Sequence, residues 1–270
     1  MKRQFMKRRF TLFLVAIQFL TRLPVPPLDG FQPDWLARSA RYFPLVGVLV
    51  GLISIGVWWL ASLVFPPAVA VGSMIAASFL LTGAFHEDGF ADVCDGFGGG
   101  STRDAVLAIM KDSRIGAYGA IGVGMMLALK WVTLISLPRA VLPLVVVSAH
   151  MVSRWCAIAL IWRLPYVRAD ADAKSKALAG SLSAGDWLAS GALGILGLLP
   201  MIWLVDRAGG GPWAQFLLFA FALAVGSTVL VGTYFKARLG GYTGDCLGAA
   251  QQLSELVFLL ATLACLTAFH

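Results

Sequence analysis

The stretch His86-Glu87-Asp88-Gly89-Phe90-Ala91-Asp92-Val93-Cys94-Asp95-Gly96 concentrates the residues best suited to chemistry. On a helix, at about 100° per residue, Asp88, Asp92 and Asp95 fall at about 0°, 40° and −20°, so three carboxylates share a stripe about 60° wide. Such a stripe repels itself unless a cation sits among the oxygens, and an all-oxygen donor set selects hard divalent ions, Mg²⁺ or Mn²⁺. The alternative is a solvated acidic helix face. A position directly after an apolar run, beside Gly89 and Gly96, favours the metal reading and with it a magnesium-dependent phosphotransferase.

Further polar groups cluster around this stripe in sequence. Gly98 and Gly99 open the run Gly98-Gly99-Gly100-Ser101-Thr102, which is unsuited to a helix interior. Its free amides make either a phosphate cradle at the next helix, capped by Ser101 or Thr102, or a plain connector. In Lys111-Asp112-Ser113-Arg114, Asp112 is a fourth metal ligand or an ion-pair partner, and Gly116 and Gly119 allow close helix approach. Arg154, one turn after His150, lies inside an apolar run where an ionised group is costly, so it faces a polar cavity or hydrogen-bonds to neighbouring helices. Thr243 and Asp245 sit among the glycines of Gly240–Gly248, three turns before Glu255. They suit phosphate or metal-supporting contacts, or an ordinary glycine-rich turn.

These residues must be positioned by membrane helices. The 270 residues are 59% hydrophobic and 13% charged, with mean hydropathy +0.82, against about 25% charged residues in soluble domains. The predicted fold is an all-α, polytopic transmembrane bundle forming a single domain over 1–270. Spans are expected at Tyr42–Phe65, Ala68–Phe85, Ile115–Leu137, Ala140–Trp162, Asp186–Val205, Trp213–Phe235 and Leu247–Phe269, seven in all. Phe10–Leu23, about 14 residues flanked by basic residues, is expected to be an interfacial or re-entrant helix. With the N-terminus inside, seventeen of the 21 Lys and Arg fall on the cytoplasmic side. That topology puts the segments 86–114, 163–185 and 236–246 on one face. The net charge of +7 then serves orientation, and nucleic-acid binding is set aside. Cys94, Cys156, Cys246 and Cys265 lack CxxC spacing, so neither a zinc site nor a disulfide framework is expected. No removable signal peptide is expected either.

Taken in order, four stretches resemble one family across nearly the whole chain: His86 to Gly100, Met110-Lys-Asp-Ser-Arg-Ile-Gly-Ala-Tyr-Gly119, the Ser153-Arg154 pair, and Gly241-Tyr-Thr-Gly-Asp-Cys-Leu-Gly-Ala249. The family is cobalamin synthase, the adenosylcobinamide-GDP ribazoletransferases, and Phe19-Leu-Thr-Arg-Leu-Pro-Val-Pro26 resembles its opening. The resemblance implies an integral, Mg²⁺-dependent membrane enzyme; the donor set leaves Mn²⁺ as the alternative, and the Lys and Arg bias puts the active face on the cytoplasmic side of a bacterial inner membrane. The resemblance also implies transfer from adenosylcobinamide-GDP to α-ribazole or its 5′-phosphate with release of GMP, and leaves association with other late corrinoid-pathway enzymes open. On that footing Asp88, Asp92 and Asp95 are expected to bind the metal with Asp112 assisting, and Asp95 to accept the hydroxyl proton. Asp92 and Arg114 join it as catalytic candidates. Lys111 and Arg154 are expected on phosphate oxygens, with Gly98, Gly99, Thr243 and Asp245 completing the substrate contacts. The competing class is a secondary transporter that uses the carboxylates for ion coupling.

Overall fold

The computed structural model describes residues 2–28, 30, 32, 34–168, 182–207 and 213–268, the side chains of 2–7 and 197–207 excepted. The centre of the predicted 163–185 loop and the end of the last predicted span lie outside the described residues. Eleven α-helices occur among the described residues. They are α1 (Lys2–Leu20), α2 (Trp35–Ser39), α3 (Phe43–Ala61), α4 (Pro67–Thr82), α5 (Phe85–Gly99), α6 (Arg103–Ile109), α7 (Ala117–Ser136), α8 (Leu142–Arg163), α9 (Ala184–Arg207), α10 (Trp213–Leu239) and α11 (Gly244–Ala268). Extended pairing among the described residues is limited to one parallel bridge, Tyr166 to Tyr242.

By length and composition, five stretches among the described residues can cross a membrane: Trp35–Ala61, α7, α8, α10 and α11. The predicted Asp186–Val205 span falls within α9, a continuous helix of 24 residues. α1 is not among the candidate spans. The expected span Ala68–Phe85 resolves differently. α4 has 16 residues, about 24 Å of helix, short of a hydrocarbon core of about 30 Å. It stops because Gly83 (φ +68°) and Ala84 (φ +56°) both adopt the left-handed region, and α5 departs at 90°. Only the bent pair together reaches span length, giving a sixth candidate. The bend sets α5, with its carboxylates, across the direction of α4.

α8 is the central post, with 83% of its apolar window buried. Glycines let α3 lie directly against it: a Cβ on Gly47 would collide with the His150 carbonyl oxygen, and one on Gly51 would stand 2.9 Å from Val147 Cα. The same device joins α5 to α11. A Cβ on Gly89 would lie 2.9 Å from Asp245 Cα, and one on Gly248 would lie 3.0 Å from the His86 carbonyl oxygen. That crossing brings the acidic helix beside the first turn of α11.

Candidate active site

The segments expected on one face do meet at one end of the bundle. Tyr242 N–H donates to Pro165 O (2.9 Å) and Val167 N–H to Tyr242 O (3.0 Å), which ties the chain after α8 to the turn before α11. Arg238 Nη2 donates to Gly100 O (2.6 Å) and Arg103 Nε to Leu239 O (2.8 Å), which ties the α5–α6 turn to the end of α10. Arg168, delivered by the Tyr166–Tyr242 bridge, pairs with Asp245 (2.8 Å) and donates to Met110 O (3.0 Å).

α5 is helical as the aspartate spacing requires, but its three carboxylates have different surroundings. Asp88 is exposed and Asp92 is half-buried. Asp95 is buried, and its two oxygens accept the amides of Gly116 (2.7 Å) and Gly119 (2.8 Å) at the start of α7. A carboxylate on orphan N-terminal amides is a helix cap, and a Cβ at Gly116 or Gly119 would run into it. Their predicted part in close packing therefore has a definite object, the Asp95 carboxylate.

Opposite Asp88 and Asp92 stands Asp245 rather than Asp95. Burial first, then the charges of Asp245 and Asp88, push the Asp92 carboxyl up to about 7, and Arg168 opposes them. Asp88, Asp92 and Asp245 thus gather with one guanidinium, Arg168, at this end of the bundle. Among the described residues, no three His, Cys, Asp or Glu side chains converge as a finished metal cage.

The linker residues fare otherwise. Asp112 pairs with Arg114 (2.6 Å), whose side-chain hydrogen bond is the main reason the Asp112 carboxyl is held down at about 2. Of the two roles open to Asp112, the geometry supplies the ion pair. The Arg114 side chain is 87% exposed, Lys111 is exposed, and neither lines the cavity described below. An ammonium serves a solvated pair about as well as a guanidinium, so Arg114→Lys is expected to keep turnover within about twofold of wild type. Steady-state kinetics on nanodisc-purified protein check this; a fall beyond tenfold would return Arg114 to the reacting groups.

Gly98 and Gly99 are also placed differently from the expected loop. α5 runs through Gly99, so both sit in its last turn, where amides are spent inside the helix and carbonyls are the free groups. That is the wrong polarity for a phosphate cradle. The absence of side chains serves packing instead: the Tyr118 ring lies against Gly98, and Ile109 Cδ1 would be 3.2 Å from a Cβ on Gly99. Thr102 caps α6 as expected, accepting from Ala105 N–H (3.3 Å). Thr243 is buried and accepts from Cys246 N–H (3.3 Å), capping α11 beside Asp245.

Below the carboxylates lies a cavity of about 240 Å³. Asp88, Asp245 and Arg168 border it, Phe19, Phe43 and Phe85 supply apolar wall, and Arg154 and Gln251 reach it from α8 and α11. Arg154, expected to face a polar cavity or to hydrogen-bond to neighbouring helices, reaches a cavity whose walls are mostly apolar, and its hydrogen bonds go to His150 of its own helix. Arg168 and Gln251 escaped the sequence reading, since Arg168 belongs to no motif and Gln251 sits in an apolar run with no charge to mark it.

Deeper in the bundle Glu255 forms a polar hub. One of its oxygens accepts from Lys130 Nζ (2.7 Å), the other from Gln251 Nε2 (2.6 Å) and Ser153 Oγ (3.3 Å). Lys130 also donates to Gln252 Oε1, and Gln252 Nε2 donates to Glu87 Oε1 (2.8 Å), next to Asp88.

The chain matches the model of the family described as cobalamin-5-phosphate synthase over residues 12–263. It is 45% identical over 261 residues to the adenosylcobinamide-GDP ribazoletransferase of Shewanella frigidimarina, covering 95% of each chain. Similar relatives of the same name occur in Leptothrix cholodnii (45% identity, 94% of this chain and 95% of the relative) and Vibrio parahaemolyticus (41%, 96% and 94%). No solved structure matches significantly.

Proposed function

Because the chain belongs to the cobalamin-5-phosphate synthase family, we propose that it is an adenosylcobinamide-GDP ribazoletransferase of late cobalamin biosynthesis, joining adenosylcobinamide-GDP to α-ribazole or its 5′-phosphate and releasing GMP. The observation that carries the site assignment is the meeting of Asp88, Asp92, Asp245 and Arg168 above a cavity. The transporter alternative finds no support in these matches.

In the reaction a ribose hydroxyl oxygen bonds to the corrinoid-side phosphorus, the pyrophosphate P–O bond to GMP breaks, and the hydroxyl proton needs an acceptor. Asp92, half-buried beside Asp88 and Asp245, is placed to take that proton. Asp95, with both oxygens on α7 amides, positions α7 against α5. Arg168 is placed to meet phosphate oxygens from the same side as Asp245.

Mg²⁺, or Mn²⁺ in its place, would be held by Asp88 and Asp245. Mg²⁺ is ordinarily bound by one or two carboxylates plus substrate phosphates rather than by an all-protein cage, and Asp88 and Asp245 are two such carboxylates at the cavity. When bound, the ion supplies charge neutralisation at the pyrophosphate. Product formation by purified protein from adenosylcobinamide-GDP and α-ribazole 5′-phosphate is expected to require the divalent ion. Turnover undiminished in EDTA would remove the metal, and no product at any metal concentration would remove the transferase.

The Lys and Arg bias supports a reading in which the active end lies at the cytoplasmic face of a bacterial inner membrane. Asp104, 92% exposed at that end, offers a test. Asp104→Cys in intact cells is expected to resist a membrane-impermeant maleimide from the periplasm and to react in inverted vesicles. The reverse pattern would move the site to the other face.

A further inference from the structure

Several basic side chains at the carboxylate end of the bundle are engaged within the protein. Arg168 pairs with Asp245 and Arg114 with Asp112, while Arg103 Nε donates to Leu239 O and Arg238 Nη2 to Gly100 O. Arg163 and Lys236, in the last turns of α8 and α10, differ from these. Both are exposed, and among the described residues no carboxylate lies within ion-pair distance of either. The helix dipole favours cations at helix C-termini, and the positive-inside bias favours them on this face. Those effects account for two basic residues at this end. They do not account for the two lining a single groove.

That groove follows the seam of α8 and α10 and has a volume of about 510 Å³, against about 240 Å³ for the cavity beneath the carboxylates, with which it shares no lining residue. The helices touch at Gly232, where a Cβ would stand 2.8 Å from Leu160 Cδ2, and Ala159 and Val229 extend the apolar wall. Its hydroxyls are turned to their own helix: Thr228 Oγ1 donates to Ala224 O (2.9 Å) and Thr233 Oγ1 to Leu230 O (2.7 Å). Free donors therefore stand at one end only. Arg163 lies about 32 Å along α8 from Leu142, and Lys236 about 34 Å along α10 from Trp213. Either length matches a hydrocarbon core of about 30 Å, so both charges emerge at its edge, with Thr228 about 12 Å deeper. The Arg163 guanidinium lies over the Trp162 ring (5.1 Å), an indole of the kind that sits at headgroup level. Only 28% of the apolar window of α10 is buried, and Val229 is exposed. The groove thus opens toward lipid.

We infer that this groove is a binding site for one anionic phospholipid, its headgroup phosphate between Arg163 and Lys236 and an acyl chain along the apolar wall below them. Charge and shape together select this occupant. A zwitterionic lipid fills the wall but brings no net charge to the cations, and a soluble phosphate meets the cations but leaves the wall bare. A second copy of this chain would set its own basic end against the same two charges. The inference is independent of the reaction carried out at the carboxylates.

Native mass spectrometry of the full chain in detergent, titrated with phosphatidylglycerol or with phosphatidylcholine of the same acyl chains, tests this. Wild type is expected to retain one phosphatidylglycerol about tenfold or more tightly than phosphatidylcholine. The pair Arg163→Gln and Lys236→Gln is expected to bring phosphatidylglycerol down to the phosphatidylcholine level. Arg8→Gln with Arg9→Gln, which removes the same charge elsewhere, is expected to keep the preference. Ala159→Trp, which fills the groove and leaves both cations, is expected to weaken both lipids. Equal retention by wild type overturns the proposal whether or not any variant folds. So does a preference lost equally in the Arg8 and Arg9 variant, which would make it an effect of net charge, or an Ala159→Trp protein of unchanged melting temperature that binds phosphatidylglycerol as before. Displacement of the lipid by millimolar inorganic phosphate would give the cations to a soluble anion. A dimer that excludes the lipid and dissociates in the Arg163 and Lys236 variant would give the groove to a second copy, and either result overturns the proposal as well.

Discussion

Asp92→Asn is expected to lower kcat by about 10²–10⁴-fold, the usual worth of a positioned general base, while leaving the Mg²⁺ concentration for half-maximal turnover within about twofold. An amide keeps the shape and removes the proton acceptor. Asp88→Asn is expected to behave in the opposite sense, raising the Mg²⁺ requirement by about tenfold or more, in the range seen when metal-site support is lost, with part of the turnover restored at saturating metal. Asp95→Asn retains one acceptor oxygen for two amides, so its expected signature is a loss of stability of about 0.5–2 kcal/mol with turnover largely kept. Kinetics over a Mg²⁺ titration, with thermal unfolding in parallel, separate the three. If excess metal rescued Asp92→Asn, Asp92 would be a ligand and the proton acceptor would have to be sought elsewhere. If Asp95→Asn abolished turnover in a protein of normal melting temperature, Asp95 would rejoin the reacting groups.

These three aspartates also mark how far the sequence could be read. Their shared face was conditional on a helix, which α5 supplies, and the apolar runs around them implied a membrane bundle, because both follow from local periodicity and length. What each carboxylate faces is decided by helix crossings, which are not local. Asp95 meets α7 only because Gly116 and Gly119 leave it room, and Asp245 meets α5 only because Gly89 and Gly248 let the backbones approach. The same glycines looked like loop or packing signals when read singly. Gly98 and Gly99 misled because intrinsic propensity argued against helix, whereas contact with Tyr118 and Ile109 holds them in one. The 90° turn at Gly83 and Ala84 was hidden by an unbroken apolar run, and left-handed backbone at an alanine has no signature in composition. Arg168 was legible only as one more positive charge, since its partner Asp245 lies at the start of the last helix.

The deepest charges carry the second large effect, on stability rather than on chemistry. Glu255 and Lys130 form a pair, their side chains 8% and 6% exposed, inside helices that cross the membrane. His150 Nδ1 stands farther off, 3.4 Å from the other Glu255 oxygen, against 2.7 Å for Lys130 Nζ. Lys130 is therefore the countercharge, and removing Glu255 strands it. Glu255→Leu is expected to cost about 3–5 kcal/mol, the usual result of breaking a buried pair from one side, and Lys130→Met to cost a similar amount by stranding the carboxylate. Joining the two changes removes both charges and is expected to recover most of the loss, because apolar replacement of a whole buried pair is commonly neutral or better. Turnover should not recover with it. Gln251 and Gln252 would lose their carboxylate and ammonium partners, and Gln252 is the link that steadies Glu87 beside Asp88. A double-mutant cycle on melting temperature and kcat reads both quantities. Additive losses in stability would show that the two charges are independent, and a double variant with full activity would detach the hub from the site above it.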